Sequence, residues 1–198
     1  MAAACALCQI TPSVGSPPLC LGCAQDLPWR GVRLQVQDLS IQVAYDYAWP
    51  IDRVIQRYKY HAQLPLAAIL TAGLQQLVRP EVDALLAVPL SAKRLRQRGF
   101  NQSHLLAQQL ACHWQLPLLS CIERRSGIQQ QGLSRSERLL NLTDAFSLRP
   151  KSPALPARIA LLDDVLTTGS TLLHLADFLK SQGVAQVEAL VVASRKHA

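Results

Sequence analysis

The chain has 198 residues, 49% of them hydrophobic, and twenty Lys and Arg against thirteen Asp and Glu give a net charge of +7. That is room for one α/β domain with a small appendage and enough apolar material for a packed core; the apolar runs fall far short of a membrane span, and residues 1–5 lack the basic flank and long apolar core of a signal peptide, so a cytoplasmic protein without membrane insertion is expected. The positive charge favours polyanionic partners but does not choose between a sugar phosphate and a nucleic acid.

The first feature in chain order is a set of four cysteines. Cys5-Ala-Leu-Cys8 and Cys20-Leu-Gly-Cys23 are two Cys-x2-Cys pairs separated by eleven residues. Each pair sets two thiolates on one tight turn, and two such turns complete a tetrahedron around zinc. This segment has too little apolar material for an independent core, and a structural metal would supply the missing cross-link. Two disulfides are the competing arrangement, which a reducing cytoplasm disfavours. The expected organisation is a zinc ribbon over residues 1–35 and a larger domain over residues 36–198.

Residues 24–42 read as a connector with at most a short strand, and residues 44–49 as an aromatic strand. The spacing of Ile51, Val54, Ile55 and Tyr58 predicts a helix, which runs into Arg57-Tyr58-Lys59-Tyr60-His61. This basic and aromatic cluster suits stacking on bases and holding backbone phosphates, with Tyr58, Lys59 and Tyr60 as candidate contacts to single-stranded DNA. The plainer alternative packs one tyrosine on the core and leaves the rest in solvent. A second helix is expected over residues 64–78, with Pro65 in its first turn.

Residues 83–88 read as a buried strand ending in Pro89-Leu90-Ser91. Lys93, Arg94, Arg96 and Arg98 then place four cations in six residues, just before a helix predicted over residues 103–114. Cations at a strand's carboxyl end suit a pyrophosphate or a nucleic-acid backbone, although such runs are often solvated faces. Residues 116–122 look like another strand. The stretch from Glu123 to Leu133, with Arg124, Arg125 and Gln131, has the polar, glycine-punctuated composition of a mobile loop. Ser134-Arg135-Ser136-Glu137 is a capping box that opens a helix to about residue 142. A short strand over residues 145–148 and a proline-rich linker follow.

Residues 159–171 read Ile-Ala-Leu-Leu-Asp-Asp-Val-Leu-Thr-Thr-Gly-Ser-Thr. Four apolar residues in a row fit a strand buried on both faces, and Asp163 and Asp164 stand towards its carboxyl end, where open α/β sheets bind ligands. Thr167, Thr168, Gly169, Ser170 and Thr171 precede a helical pattern of Leu172, Leu175, Ala176 and Leu179, so backbone N–H groups and hydroxyls there form a site for a phosphate. Two carboxylates would repel a bare phosphate. A ribose diol or a hydrated magnesium ion gives them something to hold. Neither Gly-x-Gly-x-x-Gly nor Gly-Lys-Ser/Thr occurs, so dinucleotide and P-loop readings lack their residues.

Over all thirteen positions this stretch resembles the phosphoribosyl-pyrophosphate (PRPP) motif of type I phosphoribosyltransferases. With the four cysteines, Tyr58-Lys59-Tyr60, Val88-Pro89-Leu90, Arg98-Gly99-Phe100-Asn101-Gln102, and the series Gln131, Arg135, Arg138, Asn141 and Phe146, the chain is similar to the ComF/GntX family of competence and DNA-utilisation proteins. The resemblance implies an α/β fold: a mostly parallel phosphoribosyltransferase-like sheet flanked by helices, with a small N-terminal zinc ribbon. It implies Asp163 and Asp164 on the ribose or magnesium, and residues 167–171 on the 5-phosphate. Pro89, Leu90, Ser91, Lys93, Arg94 and Arg98 would lie on the pyrophosphate side, with Arg124, Arg125 and Gln131 on a closing loop. It implies PRPP, and either single-stranded DNA or DNA-uptake proteins, as partners. The alternative role is a metabolic phosphoribosyltransferase that moves ribose 5-phosphate to a nitrogen of a small acceptor. A PRPP-binding fold need not transfer anything.

Overall fold

The computed structural model describes residues 4–15, 17–60, 63–125 and 145–195. A short helix α1 (Leu21–Gln25) closes the cysteine lobe, followed by strands β1 (Trp29–Val36) and β2 (Leu39–Asp46). Helix α2 (Ile51–Tyr60), a 3₁₀ turn (Leu64–Leu66) and α3 (Ala67–Gln76) lead to β3 (Ala84–Ala87). Next come α4 (Ala92–Arg98), α5 (Gln102–Trp114), β4 (Leu118–Leu119), β5 (Ile122–Arg124) and β6 (Phe146–Leu148). Then come β7 (Arg158–Leu166), helix α6 (Ser170–Ser181) and β8 (Gln186–Ser194).

Six strands form one sheet in the order β1-β2-β8-β7-β3-β4, antiparallel between β1 and β2 and parallel elsewhere. The expected α/β class, a mostly parallel sheet flanked by helices, is the observed one. Parallel strands need both faces covered, and the sequence supplies the cover in alternation. Leu85, Ala160, Leu162, Leu190 and Val192 face a core built with Val54, Ile55, Leu70, Leu74 and Leu106 of α2, α3 and α5. Leu86, Ile159, Leu161, Ala189 and Val191 face the other core, built with Leu172, Leu175 and Leu179 of α6 and with Ile122 and Phe146 of the β5–β6 pair. Cys5, Leu19 and Cys20 belong to the first of these cores, so the cysteine lobe is packed onto the domain.

Helix α3 approaches the sheet very closely. A Cβ added to Gly73 would stand 2.2 Å from the ring of buried Tyr45. Relief of such an overlap costs about 1–3 kcal/mol, at least as much as the ~1 kcal/mol that alanine gains over glycine in a helix.

Four sequence expectations are corrected. Residues 24–42 hold no long connector, because Val32, Leu34 and Val36 alternate with Arg33 and Gln35 and pair across a tight turn with β2. The sheet therefore begins at Trp29, inside the segment assigned to the ribbon. The expected strand over residues 116–122 is divided: Leu118 and Leu119 pair with β3, whereas Ile122 turns away to pair with β6. The basic run of residues 92–98 is itself a helix, capped when Ser91 Oγ accepts a hydrogen bond from the Arg94 amide at 3.4 Å. The helix expected over residues 64–78 opens with the 3₁₀ turn and ends at Gln76. The capping-box helix and Gln131 lie outside the described residues. Among the described residues no helix is long and apolar enough to cross a membrane.

Candidate functional site

The crossover after β3 leads outward to β4, and the crossover after β7 leads the other way to β8. The carboxyl ends of β3 and β7 therefore diverge into two loops with a crevice between them, the position at which open α/β sheets bind ligands. A cleft of about 310 Å³ lies there, lined by Asp163 and Asp164 of β7 and Thr167 just after it, and from the β3 side by Leu90, Arg94 and Arg98.

The two acids stand within β7, earlier than the strand end at which they were expected, and each has its own partner. Ser103 Oγ donates to Asp163 Oδ1 at 2.9 Å, as does the Asp164 amide. Lys59 Nζ of α2 lies 2.7 Å from Asp164 Oδ1. Burial, then the charge of Asp164, pushes the Asp163 carboxyl up to about 7. Asp164 is itself 8% exposed.

Beyond the acids, Gly169 adopts φ 75°, a left-handed conformation that glycine takes without a Cβ penalty, and it starts α6. The turn wraps a small hollow of about 40 Å³ lined by Asp163, Thr167, Gly169, Ser170 and Thr171. Thr168 Oγ1 accepts from the Ser170 amide at 3.4 Å and donates to Ser170 Oγ at 3.1 Å. Ser170, Thr171 and Leu172 line this hollow, and the first amides of α6 have no helical acceptor, an arrangement suited to an anion.

Cations line the opposite wall. Arg94 and Arg98 are four apart on α4 and share its cleft-facing side. Lys93 lies on another side of that helix and Pro89 lines a neighbouring cavity of about 470 Å³, so neither lines this cleft. Ser91 is spent as the cap of α4. Arg124 enters from β5, and Arg195, which the sequence reading did not single out, follows β8. Burial, then the nearby charge of Arg94, lowers the hold of the Arg124 guanidinium on its proton. Cations that crowd one another in this way favour an anion between them. The Arg125 amide donates to the Ala145 carbonyl at 3.0 Å, and Arg125 is not among the cleft's lining.

The cluster at residues 58–60 is divided by its structure. Tyr58 is fully buried, its hydroxyl donates to the Gln102 carbonyl at 3.1 Å, and its ring meets Phe100 edge-on at 5.9 Å. It cannot stack on a base, which corrects that expectation: position 58 continues the buried stripe of Ile51, Val54 and Ile55. Lys59 is engaged by Asp164. Tyr60 remains 67% exposed, with the Arg98 guanidinium 5.2 Å from its ring centre.

Gln102 was legible as part of a motif but not as a functional group. It is 1% exposed, borders the cleft and accepts from Arg98 at 3.1 Å, and its Nε2 has no partner among the described residues. A buried donor left unpaired is costly, and a ligand or a water in the cleft would satisfy it.

At the other end of the first core, the Sγ atoms of Cys5, Cys8, Cys20 and Cys23 all lie within 4.8 Å of one another, so together they could hold a metal ion. Burial raises the Cys5 thiol, but the amides of Cys20, Cys8 and Leu7 outweigh it and pull the group down to about 6. Burial and the other sulfurs push Cys23 up to about 12. Cys8 is lowered as well, by the amides of Thr11 and Ile10, but Cys23 is held back, so full ionisation of the four calls for a cation among them.

No family model matches the chain. Among curated proteins, competence protein F of Haemophilus influenzae is 38% identical over 155 residues, covering 72% of this chain and 67% of that protein. DNA utilization protein YhgH of Escherichia coli is 33% identical over 160 residues, covering 72% and 66%. Competence protein ComFC of Streptococcus pneumoniae is 26% identical over 151 residues, covering 76% and 66%. The chain spans about two thirds of the length of these relatives. Among solved structures, adenine phosphoribosyltransferase from Leishmania tarentolae aligns with a TM-score of 0.46 and 10% identity, over 82% of this chain and 94% of that one.

The raised Asp163 carboxyl has a measurable consequence. Unfolded, the group ionises near 3.8; folded, it keeps its proton up to about 7. The folded state thus binds more protons between those values, and its stability falls as pH rises through that window. Asparagine can still accept from Ser103 and from the Asp164 amide. Asp163→Asn should therefore flatten the dependence of urea-unfolding free energy on pH across the window. An unchanged slope would show that Asp163 titrates normally in the fold.

Proposed function

The chain belongs to the competence protein F (ComF/GntX) family, and from that premise we propose that the cleft between β3 and β7 is a PRPP site. The observation that carries this reading is the order of chemistries along one cleft. A hydroxyl and amide hollow at the start of α6 suits a 5-phosphate, two acids beside it suit a ribose diol, and Arg94, Arg98 and Arg124 beyond them suit a pyrophosphate. These three groups occur in that order in PRPP itself. Asp163 and Asp164 also offer the hard oxygen donors that magnesium prefers, but Lys59 already occupies Asp164 Oδ1, so a magnesium ion would be held through its waters and come with the ligand's pyrophosphate. When bound, magnesium would neutralise part of the pyrophosphate charge. The arginines would hold the leaving pyrophosphate, and the acids would orient the sugar. In a transfer reaction the bond from the anomeric carbon to pyrophosphate would break as a nitrogen nucleophile bonds to that carbon.

Binding of PRPP with magnesium at a hundred times its Kd should stabilise the protein by about 2.7 kcal/mol, a rise in melting temperature of roughly 5–10 °C. Replacing both acids, Asp163→Asn with Asp164→Asn, should weaken binding in a calorimetric titration by at least about tenfold, or ~1.4 kcal/mol. Equal affinity for parent and variant would remove the diol assignment.

The four cysteines we assign to one structural zinc, because four thiolates leave no open position for chemistry. Elemental analysis should find about one zinc per chain. Two disulfides in place of the metal would sink the assignment. On that reading residues 1–28 form the ribbon and the sheet domain begins with β1.

The relatives' names point to the handling of DNA, and the exposed Tyr60 ring beside Arg98 supports a role with single strands in the cytoplasm. Stacking of a base on that ring predicts a loss of about 1–3 kcal/mol in Tyr60→Ala, together with steep salt dependence. Fluorescence anisotropy with a labelled oligonucleotide measures both. If no strand binds at low salt, the small-molecule transferase becomes the better account of the same PRPP site.

A further inference from the structure

Lys59 is held in place with unusual care for a lysine. On one side of it Tyr58 is buried against Phe100 and hydrogen-bonded to the Gln102 carbonyl; on the other Tyr60 lies beside Arg98. The last turn of α2 is thus fastened to the segment that begins α5, and the lysine between the tyrosines is directed at the acids. Its side chain is 16% exposed and its Nζ lies 2.7 Å from Asp164 Oδ1. The partner of Asp163 is a neutral hydroxyl, Ser103. A divalent cation brought to Asp164 Oδ1 would meet a fixed ammonium on the same oxygen, in a partly desolvated place where like charges repel strongly.

The rest of the cleft is already cationic. Among the described residues that line it, Lys59, Arg94, Arg98, Arg124 and Arg195 face two carboxylates, Asp163 and Asp164. A polyphosphorylated ligand finds counter-charge there without any metal.

We propose that Lys59 is the resident counter-ion of Asp164, which keeps divalent cations off the acid pair in the ligand-free protein and lets the cleft take a pyrophosphorylated sugar without one. Any metal then enters as a companion of the ligand. The first half of this statement concerns the protein and a cation alone; the second rests on the PRPP reading.

Titrating manganese alone into the full-length, zinc-loaded protein tests the first half, with bound manganese read by electron paramagnetic resonance. The parent should bind it weakly. Lys59→Gln should bind at least about tenfold more tightly, and adding Asp164→Asn to that variant should abolish the gain. Lys59→Arg keeps the charge and should behave as the parent, with circular dichroism and melting temperature reporting that each variant is folded. The second half is tested by calorimetric titration of PRPP into zinc-loaded protein in magnesium-free buffer and in magnesium. The parent should lose no more than about threefold in affinity when the metal is removed; Lys59→Gln should lose at least about tenfold and recover with magnesium.

A Lys59→Gln protein that binds manganese no better than the parent overturns the proposal. So does parent protein whose PRPP binding disappears when magnesium is left out. If PRPP fails to bind under every condition while the manganese gain is present, the assignment of the sugar falls and the lysine's exclusion of cations stands.

Discussion

Strand β7 can lie between β3 and β8 only if both of its faces are apolar over the paired length, and it can serve a ligand only if it stops being apolar where the pairing with β3 ends. Both conditions are met within nine residues. Ile159 to Leu162 pair with β3 and are fully buried, and the last of those pairs, Ala87 with Leu162, immediately precedes Asp163. From Asp163 onward β7 is paired on one side only, with β8. The freed edge is where the two acids, the hydroxyl turn and the arginines meet. Placing charges one residue earlier would set them between two strands with no solvent and few partners, a position that charged groups occupy only at high cost.

The same economy governs the other wall. The aromatic end of α2 and the Arg98–Gln102 segment are about forty residues apart, yet they form one unit. Tyr58 gives its hydroxyl to the Gln102 carbonyl, and Asn101 both caps α5 at the His104 amide and donates to the Val88 carbonyl at 3.0 Å. Ser103, two residues after Asn101, is thereby delivered to Asp163. One buried tyrosine and one capping asparagine thus fix the positions of Lys59 and Ser103, the two side chains that hold the acids. Neither holds its acid through sequence proximity.

This explains what the sequence made legible and what it hid. The βαβ unit over residues 158–194 was readable because its signals are local: a continuous apolar run, a turn that needs glycine at Gly169, and helical spacing in α6 ending near Gly183. The acids and the hydroxyl turn could be located for the same reason. Strand β1 was read as no more than a short strand in a connector because an edge strand is apolar on one face alone, and Arg30, Arg33 and Gln35 masked its period. The hidden parts of the site are pairings across the fold. Nothing near Lys59 in sequence names Asp164, and a lysine between two tyrosines looks like a nucleic-acid contact until the burial of one tyrosine is known. Arg195 follows the final strand with no motif around it, and only the parallel alignment of β8 beside β7 brings it to the cleft.

The electrostatic arrangement of the cleft follows from these placements and from magnitudes. At 2.7 Å, an ion pair shielded from water is far stronger than the median surface pair, so Lys59 largely cancels the charge of Asp164. Burial keeps Asp163 protonated well above the usual carboxylate range. The acid pair therefore presents hydrogen-bonding oxygen at little net negative charge, whereas the four arginines keep theirs. Without that compensation two adjacent carboxylates would repel the phosphates that the arginines attract, and the cleft would work against itself. The site combines a nearly neutral acceptor for hydroxyls with a strongly positive wall for phosphates. On the PRPP reading proposed above, both requirements come from one ligand that carries a diol and a pyrophosphate on adjacent carbons.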